Sequence, residues 1–221
     1  MATAVILSGS GRYADPWHPF AETSRCLAEI LDGCGVSVSI AADVDAAMTR
    51  LHGVDLLVVN AGDSSRNDLP APDLTAARSG FDAALDRGIA VLGTHTAAAS
   101  LGDYPRWEAT LGGRWLPDLS MHPPIGPARV RLHVDRHPIV AGPGAPHFDT
   151  YDELYSDLRV AADVVPLATH PLHGVDQPLL WAREHGASRV VYSALGHDAR
   201  AYDSAELREL LARATGWLLG A

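Results

Sequence analysis

Five histidines of this chain stand within two residues of glycine or proline, at points where a strand or helix is ending: His18 in "DPWHPF", His95 in "GTHTA", His122 in "SMHPP", His137 in "RHPIV" and His197 in "LGHDA". With Asp152 and Glu153 in "YDELY" they make a set of imidazoles and carboxylates. Such groups ligate a divalent ion, zinc or similar, or exchange protons near neutral pH. Their spacing is not that of a compact metal motif, since the sequence has no HExxH and no paired Cys/His signature. A histidine before proline is also often a turn residue bonded to nearby backbone, and His137 is read that way.

His95 has the stronger claim to chemistry. The run "IAVLGTHTAAAS" starts as a buried strand, turns at Gly93-Thr94-His95 and continues in small residues. A tight strand-to-helix turn of this kind presents a serine or cysteine nucleophile in hydrolases, and here it presents an imidazole. At the open end of a strand, His95 is expected to be exposed, so that His95→Ala would cost no more than about 0.5 kcal/mol of stability. The catalytic candidates are His95, His197 and Glu153, and the metal candidates are His95, His122 and His197. His18, Trp107 and Asp152 are candidate substrate contacts, although Trp107, Trp115 and Trp181 are large aromatics of the kind that mostly serve packing. The loop "GSGR" lacks both the P-loop lysine and the dinucleotide fingerprint, so no nucleotide is expected.

The elements that must carry these residues follow from hydrophobic patterning. "TAVILS", "VDLLVVNAG" and "IAVLGT" are continuous apolar runs separated by helical stretches at about residues 22–32 and 74–87. That alternation predicts βαβ units and a doubly wound, mostly parallel sheet with helices on both faces. Asp45 reads as the N-cap of a brief helix ending near Leu51. Loops over residues 9–19, 61–72 and 94–100 leave the carboxyl ends of the strands and should share one crevice. Further on, "RWEATLGG" is a short helix, "RVRLHV" alternates like a half-buried strand, and "PLLWARE" and "SRVVYSAL" flank a turn as an antiparallel hairpin near residues 178–195. A last helix over residues 204–218 turns Leu207, Leu210, Leu211 and Trp217 to one face.

Bulk properties narrow the partners. The 221 residues are 47% hydrophobic and 20% charged, which fits a single domain over residues 1–221 with a sizeable core. Net charge is −10, and the 17 Lys and Arg residues are scattered, so nucleic acid is not an expected partner. The start "MATAVILSGSG" lacks a basic segment and has too short an apolar run for a signal peptide or a membrane span. A cytoplasmic location is expected, with no membrane contact. Cys26 and Cys34, eight residues apart on one helix, are separated by about 12 Å of helical rise, beyond disulfide reach.

Several stretches together resemble the trehalose-utilisation (ThuA-like) family, which shares the class I glutamine amidotransferase-like, flavodoxin-like fold. They are "GTHTAAAS" with "YPRWEATLGGRW", "SMHPP", "DRHPIVAG", "FDTYDELY", "PLLWAREHGASRVVYSALGHD" and "LLARATGWL", in the family's order. The resemblance implies that His95 occupies the nucleophile elbow of the amidotransferase relatives, where a cysteine would attack glutamine. Without a thiolate no thioester forms, so glutaminase activity by that route is excluded. It also implies that "LGHD" lies where those relatives keep the histidine that activates the thiol, so His197 should face His95. The same resemblance points to a small carbohydrate as the partner, in sugar or keto-sugar catabolism, and the chain is expected to act as an enzyme, with a homodimer as its assembly. The alternatives carried are a non-catalytic sugar-binding or partner subunit, and a serine hydrolase using Ser8, Ser10 or Ser100, which no spacing supports.

Overall fold

The computed structural model describes residues 1–67, 69–142 and 145–220. Its strands are β1 (Thr3–Ser8), β2 (Ser37–Ala41), β3 (Leu56–Asn60), β4 (Ala90–Thr94), β5 (Gly113–Arg114), β6 (Gly126–Leu132), β7 (His147–Asp152), β8 (Arg159–Val160), β9 (Val165–Leu172), β10 (Val175–His185) and β11 (Ser188–Ser193). Its helices are α1 (Phe20–Gly33), α2 (Val44–Met48), α3 (Thr75–Arg87), α4 (Trp107–Leu111) and α5 (Ala205–Leu219).

Nine strands form one sheet in the order β2-β1-β3-β4-β11-β10-β9-β6-β7, and β5 pairs with β8 in a small separate ladder. From β2 to β11 every neighbour is parallel. From β11 to β7 every neighbour is antiparallel. The sheet is therefore mixed, and the expectation of a mostly parallel one holds for its first half. β3 and β4 are buried along their whole length, as strands covered on both faces must be. The hairpin expected near residues 178–195 is present as β10 and β11, in register from Leu180 opposite Ser193 to His185 opposite Ser188.

The helices form where apolar residues recur at helical spacing. α1 buries Phe20, Leu27, Ile30 and Leu31, and α5 buries Leu207, Leu210, Leu211, Ala214 and Leu218, each a stripe three or four residues apart. Ser204 caps α5 by accepting from the Leu207 N–H, which satisfies one of the free donors of the first turn. The cap of α2 is Asp43, whose carboxylate accepts from Ala46 N, and not Asp45 as the sequence suggested. Asp45 lies inside the helix and points the other way, into a buried polar network.

Parallel register aligns the carboxyl ends of the strands. Ser8 pairs with Asn60, Val59 with Gly93, and Ser193 with Thr94, so the segments that follow β1, β3, β4 and β11 open on the same side. The antiparallel half brings a further segment there. The Asp152 carboxylate, at the end of β7, accepts from Gly196 N at 2.7 Å, and Thr150 Oγ1 donates to Ala201 O at 3.3 Å. The far edge of the sheet thus returns to the turn after β11.

Candidate functional site

His95 begins a short 3-10 turn directly after β4, with a backbone φ of +43°. A non-glycine residue in that left-handed region is uncommon, and the conformation is that of an elbow. The close packing beneath it depends on Gly93, where an added Cβ would come within 2.6 Å of Leu111 Cδ1 and 3.2 Å of Ala97 Cβ. The elbow does not expose its side chain. His95 is 1% exposed, its ring lying 4.3 Å from that of Tyr155. The expectation of an exposed corner histidine is corrected here: the segment ending in Tyr155 folds over it.

His95 Nδ1 donates to the carbonyl of Ala194 at 2.7 Å, which leaves the Nε2 lone pair facing inward. His18 is held in the same manner. Its Nδ1 lies 2.7 and 2.8 Å from Oδ1 and Oδ2 of Asp15, and Oδ1 also accepts from the backbone N–H of Trp17 and His18. A ring nitrogen bonded to a carboxylate or carbonyl fixes the tautomer and presents the other nitrogen as a ligand. His197 is positioned by Asp152, which accepts from Gly196 N and His197 N at 2.7 and 3.2 Å and from Glu153 N at 2.8 Å. The turn at Gly196 has φ +118°, and a Cβ there would meet Tyr202 Oη at 2.5 Å, so only glycine fits.

The imidazoles converge. Ring centroids of His18 lie 5.1 Å from His95 and 4.7 Å from His197, and those of His95 and His197 are 5.3 Å apart. Glu153 Oε2 sits 3.5 Å from His95 Nε2 and 3.1 Å from His197 Nδ1, but without the alignment a hydrogen bond needs. His18 Nε2, His95 Nε2 and His197 Nδ1 are all buried with no hydrogen-bond partner. One ligand atom from each of His18, His95, Glu153 and His197 can be chosen so that all lie within 4.8 Å of one another. Three imidazole nitrogens and a carboxylate oxygen at that spacing are a donor set for zinc or a similar divalent cation.

Electrostatics follow from burial and the neighbouring charges. Burial pulls the His95 pKa down to about 4, against the opposing pull of Glu153, so His95 is neutral at pH 7, the form a ligand requires. Burial also opposes the charge on Glu153, but His197 and His95 outweigh it and hold the carboxyl well below its ordinary range. For His197 the balance is reversed: burial disfavours its cation, and Glu153, Asp152 and Asp198 together raise its pKa above the usual value. Asp152 is pushed up to about 7 by burial, while its three backbone N–H donors pull it down.

The cluster opens on a cavity of about 460 Å³. As expected, the segments after β1, β3 and β4 share it, contributing Asp15, Trp17 and His18, Asp63 and Arg66, and Thr96 and Ala99. Trp115, His122, Ile125, Glu153, Tyr155 and His197 complete the lining. Among the sequence candidates, His18, His95, His197 and Glu153 meet, and His18, expected as a substrate contact, lies inside the group. His122 does not join it: its Nδ1 bonds Pro123 O at 2.9 Å and lies 3.5 Å from the other Glu153 oxygen, with the ring facing the cavity. Trp107 is corrected to a core residue, 1% exposed and donating from Nε1 to Ala97 O at 2.9 Å. Asp152 is 2% exposed and spends its oxygens on backbone donors, so it shapes the turn carrying His197 instead of meeting a substrate. His137 is the turn residue expected, its Nδ1 accepting from Ile139 N at 3.3 Å.

Sequence reasoning missed Asp15, Asp63, Arg66, Tyr155 and the half-buried, cavity-lining setting of Trp115. Asp15 alone left a signal, an acidic residue three before a histidine in a proline-bounded loop.

The profile of the ThuA family, described as "Trehalose utilisation", matches residues 5–218. Among solved structures, a ThuA-like protein from Bacteroides uniformis ATCC 8492 superposes with a TM-score of 0.76 at 18% identity, covering 98% of this chain and 91% of that one. A ThuA-like protein from Parabacteroides merdae ATCC 43184 gives 0.78 at 17% identity, over 99% and 89% of the two chains. A beta-galactosidase from Bacillus circulans sp. alkalophilus shares the fold with a TM-score of 0.61 at 12% identity, this chain matching 31% of that one. No curated protein matches the sequence. Among the described residues no helix is long and apolar enough to cross a membrane.

Proposed function

The chain belongs to the ThuA, trehalose-utilisation family, and from that membership and the buried cluster we propose that it is an enzyme of carbohydrate metabolism acting on a sugar or keto-sugar, with a divalent metal ion of the zinc type held by His18, His95, His197 and Glu153. The observation that carries this reading is the convergence of three buried imidazole nitrogens without partners on one carboxylate. Leaving a buried polar atom unpaired costs about 1–3 kcal/mol, and three at one point make sense when a shared ligand repays the cost. Asp15 and the Ala194 carbonyl support it by orienting their histidines with the lone pairs inward.

A bound divalent cation supplies Lewis acidity, polarising a carbonyl or hydroxyl oxygen. The protein's own residues do the rest. Thr96, Ala99, Tyr155 and Trp115 line the cavity in which the substrate would sit, and His122, 3.5 Å from Glu153, is placed to contact it. The elbow residue is histidine, so a thioester route is absent.

The test is metal content. Stripped protein titrated with zinc should take up one ion per chain by calorimetry and elemental analysis. His18→Ala and His197→Ala should lose that uptake, and His122→Ala should keep it. Failure of the parent protein to bind zinc stoichiometrically would refute the metal reading and favour a sugar-binding subunit without turnover. Loss in His122→Ala with retention in His18→Ala would show that the ligand set is wrong.

A further inference from the structure

The two edges of the nine-stranded sheet are unlike. At one end β7 is guarded. Its exposed Asp149 lies 3.9 Å from Arg129 Nε of the neighbouring β6, Thr150 Oγ1 donates to Ala201 O, and the Arg200 guanidinium covers the Tyr151 ring at 4.2 Å. Charged side chains and a covering segment keep a sheet edge from pairing with another chain. At the other end β2, "SVSIA", pairs with β1 alone among the described strands and carries neither charge nor proline. Ser37, Ser39 and Ile40 are exposed on it, Ile40 at 46%.

The direction of the free backbone groups follows from the register. β2 runs parallel to β1, with Thr3 opposite Ser37 and Leu7 opposite Ala41, and Ser37 N donates to Ala2 O at 2.8 Å. In a parallel ladder alternate residues bond a given neighbour, so Ser37, Ser39 and Ala41 turn their N–H and C=O toward β1, while those of Val38 and Ile40 point outward. Two copies of β2 set antiparallel about a two-fold axis at Ser39 satisfy these outward groups. Val38 then faces Ile40 of the second copy, and the two residues exchange both N–H···O bonds; the same pair recurs across the axis. Between them Ser39 meets its own counterpart as the non-hydrogen-bonded pair. Successive side chains alternate between faces, so Val38 and Ile40 meet as a cross-strand apolar pair on one face, and on the other Ser37 lies against Ala41.

We propose that β2 is a self-association surface whose partner is a second copy of this chain, joined edge to edge about a two-fold axis at Ser39 so that the two sheets become one. β2 is its own complement: its outward groups fall in register with themselves, apolar side chains stand opposite apolar ones, small opposite small, and no charge has to be buried. The same patch serving both subunits is what an isologous contact requires. A single short strand lies at the low end of specific interfaces, below about 1,200 Å², so the association depends on protein concentration. It uses no residue of the histidine cluster and stands apart from the reading of that site.

The test joins sedimentation velocity with cysteine cross-linking. The parent should pass from monomer to dimer as its concentration rises toward about 1 mM. Ile40→Pro removes an outward N–H while leaving the bonds of β2 to β1 in place, and should weaken dimerisation about tenfold or more. Ile40→Lys, which keeps the backbone and gives β2 a charged guard like that of β7, should do the same, with melting curves in dilute solution showing that both variants fold. In a Cys34→Ser background, chosen because Cys34 is exposed, Ser39→Cys should form an intermolecular disulfide under oxidised glutathione, since a non-hydrogen-bonded pair sets its Cα atoms about 4.5 Å apart. Ser37→Cys should not, because its counterpart lies about 14 Å away along the strand. A parent that stays monomeric at about 1 mM, a dimer that both Ile40 substitutions leave unchanged, or a dimer in which Ser39→Cys cross-links no better than Ser37→Cys overturns the proposal.

Discussion

Substituting Asp45 with asparagine should lower the melting temperature by about 4–12 °C at neutral pH. Its carboxylate accepts from Arg12 Nε at 2.9 Å and Nη2 at 3.2 Å, and from the hydroxyls of Tyr13 and Tyr104, each at 2.7 Å. The side chain is 15% exposed and that of Arg12 8%. Asparagine keeps the shape, removes the charge and turns an N–H group toward donors. Breaking a buried pair from one side costs roughly 3–5 kcal/mol. Arg12 keeps a second carboxylate, with Nη1 2.6 Å from Asp103 Oδ2, which brings the cost down to about 2–3 kcal/mol. At about 2–4 °C per kcal/mol for a chain of this length, the stated shift follows. The same contacts outweigh burial and hold the Asp45 pKa below its ordinary 3.8. The stability it lends is thus fully present above about pH 4 and lost as pH falls through the depressed native value. Melting of parent and variant should be compared at neutral pH and at successively lower pH, where the gap should close. A shift under about 1 °C at pH 7, the size expected of a surface change, or a gap that widens on acidification, refutes the reasoning.

Two further substitutions separate packing from chemistry. Trp107→Ala should cost about 3–5 kcal/mol and lower the melting temperature accordingly, while folded molecules keep parent-like zinc uptake; loss of zinc uptake by folded molecules would restore Trp107 to the site. His95→Ala should cost about 1–3 kcal/mol, because it strips the buried Ala194 carbonyl of its donor, and should also abolish zinc uptake; parent-like melting would mean that the ring is as exposed as a strand-end residue ordinarily is.

The parallel half of the sheet was legible because β1, β3 and β4 are covered on both faces and read as unbroken apolar runs. The antiparallel half was legible at the β10–β11 hairpin, where a short turn separates two hydrophobic segments, and in part at β6, whose alternation shows in "RVRLHV". β7, "HFDTYD", is an edge strand whose burial alternates imperfectly, and β9, "VPLATHPL", contains two prolines. Proline reads as a strand breaker because it lacks an N–H. Here Pro166 and Pro171 pair opposite Trp181 and Asp176 in a ladder whose register shifts along β10. Those missing strands carry the consequence for the site. Without β7 returning to the turn after β11, nothing in the sequence says that Asp152 faces backbone, that Glu153 faces the histidines, or that Tyr155 covers His95.

The candidate site shows a similar division. Corners at glycine and proline identified His95 and His197, because a turn at a strand end limits what the residue can do. Which imidazoles meet depends on how far each loop reaches, and the pattern of residue types does not encode reach: His18 comes in because Asp15 holds its ring, and His122 stays out because its Nδ1 bonds Pro123. The elbow at His95 argues the same point at atomic scale. The backbone is that of a nucleophile turn, yet the chemistry available is set by the hydrogen bond on the far side of the ring. With Nδ1 donating to Ala194, Nε2 is a buried lone pair aimed at Glu153 and two further imidazoles. A lone pair so placed attracts a cation, whereas a cysteine or serine at the same elbow would present a group to attack a carbon atom. The fold therefore supplies the position, and the neighbours of the ring supply the function.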